Sequence, residues 1–155
     1  MRKHPIKIIA IFIIVVLFAT QPEKSNPKSD PSDNIINSTL TITDTVKSLL
    51  RASCFDCHSN ETKWVWYTYV PIASHFTIGH VNDARKHLNF SKWKTYKAGR
   101  KLNKLAEIKE FVSDHEMPLK SYLWLHPEAD LTEEQRKIII DWAIEEVDSM
   151  SSLIK

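Results

Sequence analysis

Apolar residues recur along this chain in two ways. From Ile8 to Ala19 they are continuous. Beyond about Thr41 they stand three and four apart with polar residues between them, the spacing of helices that bury one face. Val46, Leu49 and Leu50 form the first such stripe, which Thr43 or Asp44 can cap and which runs straight into Cys54. Pro71 starts or interrupts a second helix, with Ile72, Phe76, Ala84 and Leu88 as its apolar positions. Ser91 can cap a third segment holding Trp93 and Tyr96. Leu102, Leu105, Ile108 and Val112 make a further stripe that ends near Ser113, before Met117. Thr132 and Gln135 have the spacing of a capping box. The last helix follows them, with Ile139, Ala143, Val147 and Met150 on one face and Trp142 beside them. No run alternates at period two, and the chain has only two glycines, so the pattern predicts an all-α fold.

The continuous run is of another kind. With Arg2, Lys3 and Lys7 around its start, it reads as a signal peptide or an N-terminal membrane anchor over residues 1–20. Twelve helical residues cover roughly 18 Å against roughly 30 Å of hydrocarbon, which favours a signal. Leu17 and Ala19 make a poor small-x-small cleavage site, which favours an uncleaved tether. In both cases the basic flank stays in the cytoplasm and the remainder is exported. Residues 21–41 carry Pro22, Pro27 and Pro31 among Ser, Asn, Lys and Asp, the composition of a flexible linker. One domain, residues 42–155, remains.

Charge adds little to this division. The 16 basic and 16 acidic residues from Ile42 onward cancel, which argues against a nucleic-acid partner. Their order is uneven: Arg85 to Lys109 holds nine Lys and Arg against one Glu, and Glu110 to Lys155 holds four against eleven acids. Solvated helix faces account for this, and so would a basic docking surface for an acidic redox partner.

The chemistry lies in Cys54-Phe55-Asp56-Cys57-His58. A C-x-x-C-H run is the signature of covalent attachment of one haem c, each thiol adding to a vinyl group and the histidine coordinating iron. A structural zinc site wants four Cys or His ligands, and there are two cysteines in all. A thioredoxin-like pair expects a βαβ context, whereas the surroundings here are helical and aromatic. A disulfide between the two cysteines would leave His58 unexplained.

For the second axial ligand the pattern nominates Met117. It follows a helix end and precedes Pro118, which biases it towards extended backbone on a short loop. Its competitors are His75, His80, His87, His115 and His126, and a plain core role for the thioether stays open. Among the many aromatic residues, Trp64 and Trp66 stand close after His58 and are candidates to wall the porphyrin.

The run from Cys54 to Tyr67 (CFDCHSNETKWVWY), with HLNFSKW at 87–93, EMPL at 116–119 and YLWLHPEA at 122–129, resembles the bacterial haem-binding domain family of small exported c-type cytochromes. The likeness covers roughly residues 44–145, with Val65 standing where the family is expected to have Pro. With a helix entering the haem motif and a long helix ending the chain, the expected domain is cytochrome c-like. It looks like the plan of class I c-type cytochromes, whose first and last helices cross beside the haem edge. The expected function is a periplasmic monohaem electron carrier, not an enzyme, with His58 and Met117 as iron ligands. It would act as a monomer with redox protein partners and a membrane contact through residues 6–20. The alternatives are a haem sensor or peroxidase-like enzyme with a displaceable sixth ligand, and a haem-free thiol-redox or metal-binding module.

Overall fold

The computed structural model describes residues 5–153 and contains helices and turns, with no strand among the described residues. The fold is all-α, as the periodicity predicts. Arg2 and Lys3 of the basic flank lie outside the described residues.

The apolar run forms α1 (Pro5–Ala19), which buries none of its residues in the domain. Its 15 residues cover roughly 22 Å. Among the described residues no helix is long and apolar enough to cross a membrane.

Residues 21–41 differ from the expected linker, because they lie against the domain. Two short 3-10 turns, Pro31–Asp33 and Ile35–Asn37, pack on the turn Phe90–Thr95. Ile35 is fully buried in the main core. Polar composition predicts mobility only where no side chain finds a cavity, and here one isoleucine does.

α2 (Asp44–Ser53) begins where Thr43 Oγ1 accepts from the Val46 amide at 3.2 Å. It buries Val46, Leu49 and Leu50. After a break at Cys54, α3 (Phe55–His58) is a single turn. Pro71 opens α4 (Pro71–His87), where its missing N–H costs nothing. Of the four expected apolar positions here, Leu88 is buried in the core and Ala84 is half-buried, but the start of α4 differs. Ser74, Ile78 and Val81 face inward, while Ile72 and Phe76 are exposed. Asn89, not Ser91, caps the 3-10 turn that follows, its side chain accepting from the Ser91 amide.

α5 (Ala98–Ser113) buries Leu105, Ile108 and Val112. A single turn, α6 (Lys120–Leu123), precedes α7 (Glu133–Leu153). The capping box of α7 is made in both directions. The Gln135 amide donates to Thr132 Oγ1 at 3.2 Å, and the Thr132 amide donates to Gln135 Oε1 at 2.9 Å. α7 packs along α5 and also meets α2, so the first helix of the domain lies against the last. The core between them joins Leu50, Phe55, Phe90, Trp93, Leu105 and Ile139.

Candidate haem site

The single turn of α3 explains the spacing of its chemistry. Positions i, i+3 and i+4 share a helix face, and here they are Cys54, Cys57 and His58. The amides of Cys57 and His58 both donate to Cys54 O, at 3.2 and 2.9 Å, which closes the turn. The ring of Phe55 points away into the core and stacks on Phe90, with centroids 5.2 Å apart.

All three side chains line a largely apolar cavity of about 400 Å³, and Met117 lines it too. A second cavity of about 230 Å³ adjoins it, sharing Cys57, His80, Leu119 and Tyr122. The larger one lies within the roughly 300–1,000 Å³ range of cofactor sites.

His58 is oriented by its other nitrogen. Nδ1 lies 3.1 Å from Leu88 O, and a carbonyl can only accept, so Nδ1 carries the proton and the Nε2 lone pair is free. Burial holds this imidazole below its ordinary pKa, against the opposing pull of the Leu88 and Ala84 carbonyls. The neutral form is the one that binds a metal.

Met117 is placed by the end of α5. The Glu116 amide donates to Phe111 O at 3.0 Å and the His115 amide to Val112 O at 3.3 Å, while His115 adopts φ 57°. This is a Schellman motif with histidine at the position glycine usually takes. The Met117–Pro118 peptide is cis. Behind the loop, buried Arg136 donates through Nη1 to Met117 O at 2.8 Å and to Val112 O at 3.3 Å.

The competing histidines separate by position. His80 and His87 line the larger cavity. His75 is exposed and lies beside Thr20, outside both cavities. His115 points to Glu133 at 3.7 Å on the surface. His126 is engaged on both sides: Nδ1 donates to Glu128 Oε1 at 3.0 Å, which leaves Nε2 to accept from the Tyr67 hydroxyl at 2.7 Å. Trp64 lines the smaller cavity, whereas Trp66 is 72 % exposed and lines neither.

The sequence blocks outside C-x-x-C-H meet around it. Asn89 donates to Asn60 Oδ1 at 2.8 Å, and the Asn60 amide donates to Ser91 Oγ at 3.0 Å. Tyr122 donates to Asp56 Oδ2 at 2.9 Å and stacks on His126. Burial and the neighbouring Asp56 charge raise the Tyr122 pKa, which keeps the phenol a donor. Arg85 donates to Ser59 O at 2.7 Å, to Thr62 Oγ1 and Asn26 Oδ1 at 2.8 Å, and to Ser25 O at 2.8 Å. The sequence blocks contain Asp56, Asn60, Asn89, Ser91 and Tyr122 without showing these bonds, and Arg85 enters the sequence only as one of a run of basic residues. One signal was present for Arg136: it falls on the Ile139 and Ala143 face of α7, where an arginine needs a buried partner.

The donor set fits a haem better than its rivals. The two cysteines are not bonded to each other. Burial, then the charge of the second thiol, pushes Cys54 up to about 12; burial and Asp56 push Cys57 up to about 11. Reactive and metal-binding thiols are shifted the other way. Among the described residues no three Cys, His, Asp or Glu side chains are grouped as a metal ion would require. Two unbonded thiols at the wall of an apolar cavity, next to an imidazole with a free Nε2, fit a porphyrin lying in that cavity.

No curated protein and no solved structure matches the sequence. The haem-binding domain family matches residues 10–145, which takes in the whole cavity and all four sequence blocks. The chain is therefore an all-α haem-binding protein and belongs to the haem-binding domain family.

Proposed function

We propose that the protein is a monohaem c-type cytochrome that carries electrons on the outer side of the cytoplasmic membrane. One observation carries the reading: Cys54, Cys57 and His58 share a face of one helical turn, and Met117 lines the same cavity. Cys54 and Cys57 would hold the haem through two thioethers. His58 would coordinate iron through Nε2, held in tautomer and direction by Leu88 O. Met117 would supply the sixth ligand. When bound, the haem supplies reversible one-electron chemistry.

The protein's own part is to orient and to exclude water. Phe90, Ile108, Val112 and Leu119 wall the cavity with apolar surface. Lys63 and Trp64 line the smaller cavity and have the donors that propionates need, while the Tyr67 hydroxyl beside them is taken by His126. No step in this reading calls on an acid, a base or a nucleophile, so it describes a carrier and not an enzyme. The apolar α1 with Lys7 near its start supports export, by cleavage or by tethering.

Intact-mass measurement on the exported protein tests the covalent part. The expected mass is polypeptide plus one haem, and the same measurement reads whether the leader is retained. A mass without haem overturns the c-type reading. The ferric absorption spectrum tests the axial pair. A sulfur-to-iron charge-transfer band should appear and vanish in Met117→Ala. Loss of the low-spin spectrum in His80→Ala or His87→Ala instead would assign the sixth position to histidine. A high-spin ferric wild type would point to a sensor or peroxidase-like protein.

A further inference from the structure

We propose that the face of α4 next to the end of α1 lies on the lipid surface, so that the rim of the haem cavity sits at the membrane interface. The proposal rests on the reading of α1 as a retained anchor and adds where the domain sits.

α1 is apolar on every side from Ile8 to Ala19 and exposes Ile9, Phe12 and Val16 among others. A helix of that kind belongs in a protein core or in a bilayer, and in this fold it is in no core. Its C-terminal end is tied to one place on the domain. Thr20 Oγ1 lies 3.5 Å from His75 Nε2. Gln21 Nε2 donates to Tyr69 O at 3.4 Å, and Lys24 Nζ donates to Thr68 O at 3.3 Å while lying 4.4 Å over the Tyr69 ring.

Around those contacts the surface is apolar. Ile72 and Phe76 flank His75 on the same side of α4 and are 73 % and 58 % exposed. Tyr69 and Val70 are exposed beside them. Aromatic and aliphatic side chains with a nearby lysine are what a bilayer interface takes up. Because the tether ends here, a bilayer that holds α1 is within reach of this face before any soluble partner is. Phe76 also lines the smaller cavity, which brings the cavity rim to the same level.

The test uses the full-length holoprotein in vesicles of phosphatidylethanolamine and phosphatidylglycerol. Once haem has consumed Cys54 and Cys57, an introduced cysteine is the only free thiol, and intact mass verifies one spin label per chain. More than one label would instead mean that the native thiols are free and the haem reading fails. Labels go at Ile72→Cys, at Phe12→Cys inside α1, and at Lys137→Cys on exposed α7 as a water reference. The Ile72 label should be relaxed by oxygen several-fold more, relative to a nickel chelate, than the Lys137 label. If Phe12 is oxygen-accessible but Ile72 is as open to nickel as Lys137, the anchor stands and the docking is overturned. An Ile72 label shielded from both reagents means protein covers the face, which also overturns it. A Phe12 label in water removes the anchor and the docking together.

Discussion

Arg136 Nη1 donates to Met117 O at 2.8 Å, although the two residues belong to different elements 19 positions apart. The same guanidinium reaches Val112 O and lies 3.7 Å from Asp130 and 3.9 Å from Glu133. It therefore holds the loop after α5 by its main chain, leaving the thioether free to face the cavity. Arg136→Gln should cost roughly 1–3 kcal/mol in urea unfolding, since buried carbonyls lose a charged donor. The sharper readout is spectroscopic. The sulfur-to-iron charge-transfer band should weaken at temperatures well below unfolding, and Arg136→Lys should restore it in part. An unchanged band up to the melt would assign Arg136 to stability alone.

Tyr122 couples the last sequence block to the haem motif through Asp56. Tyr122→Phe keeps the stack on His126 and removes only the donor to the carboxylate. Asp56 retains the Lys63 amide at 3.2 Å, so the loss should be partial, roughly 1 kcal/mol in thermal or urea unfolding. A neutral effect would show that water replaces the phenol without cost.

His126 is held between Glu128 and Tyr67, so it is not free to bind iron. His126→Gln should leave the positions of the haem bands unchanged and lower stability by roughly 1 kcal/mol. A change of spin state in that variant would show that the loop rearranges around the haem and would reopen the axial assignment.

Ile35 gives the clearest case where composition misled. Residues 21–41 average out as a polar, proline-bearing segment, yet burial is decided by single side chains. Ile35 is fully buried against the core. Ile35→Ala should destabilise the domain by roughly 2–5 kcal/mol, as for other large-to-small core changes. A change under roughly 0.5 kcal/mol in urea unfolding would mean the segment behaves as the linker its composition suggests.

What could be read from the chain was local. Cys54, Cys57 and His58 fall on one face because a helical turn puts i, i+3 and i+4 together, and no distant residue is needed for that. The Thr132 and Gln135 cap is equally local. Leu88 is buried as its apolarity suggests. At the start of α4, Ile72 and Phe76 are apolar but face outward, while Ser74 is buried by closing its hydroxyl on Pro71 O. Hydropathy ranks those residues in the opposite order. The histidines could not be sorted at all, since His126 differs from His80 only in what lies beside it. Arg85 and Arg136 act by holding carbonyls far away in sequence, and a carbonyl leaves no trace in residue identity.

Glu146 supplies a pH test that is remote from the haem. It is 5 % exposed, and its Oε1 accepts from the Thr41 amide at 2.6 Å. Burial raises its pKa above 4.5, the Thr41 amide opposes that, and the neighbouring Glu145 charge adds to it. A carboxyl whose folded pKa lies above the unfolded one binds its proton more tightly in the folded state. Its contribution to stability is complete below the unfolded value and is lost as pH rises through the folded one. Glu146→Gln keeps an acceptor for Thr41 and removes the charge. The variant should therefore gain most over the wild type at pH 7, and the gain should shrink as pH falls towards 4. Paired urea unfolding of the two proteins across that range reads the difference directly, with the other carboxylates cancelling. A gap that stays constant, or widens towards acid, would mean the Thr41 hydrogen bond outweighs burial and that Glu146 stabilises the fold as a carboxylate.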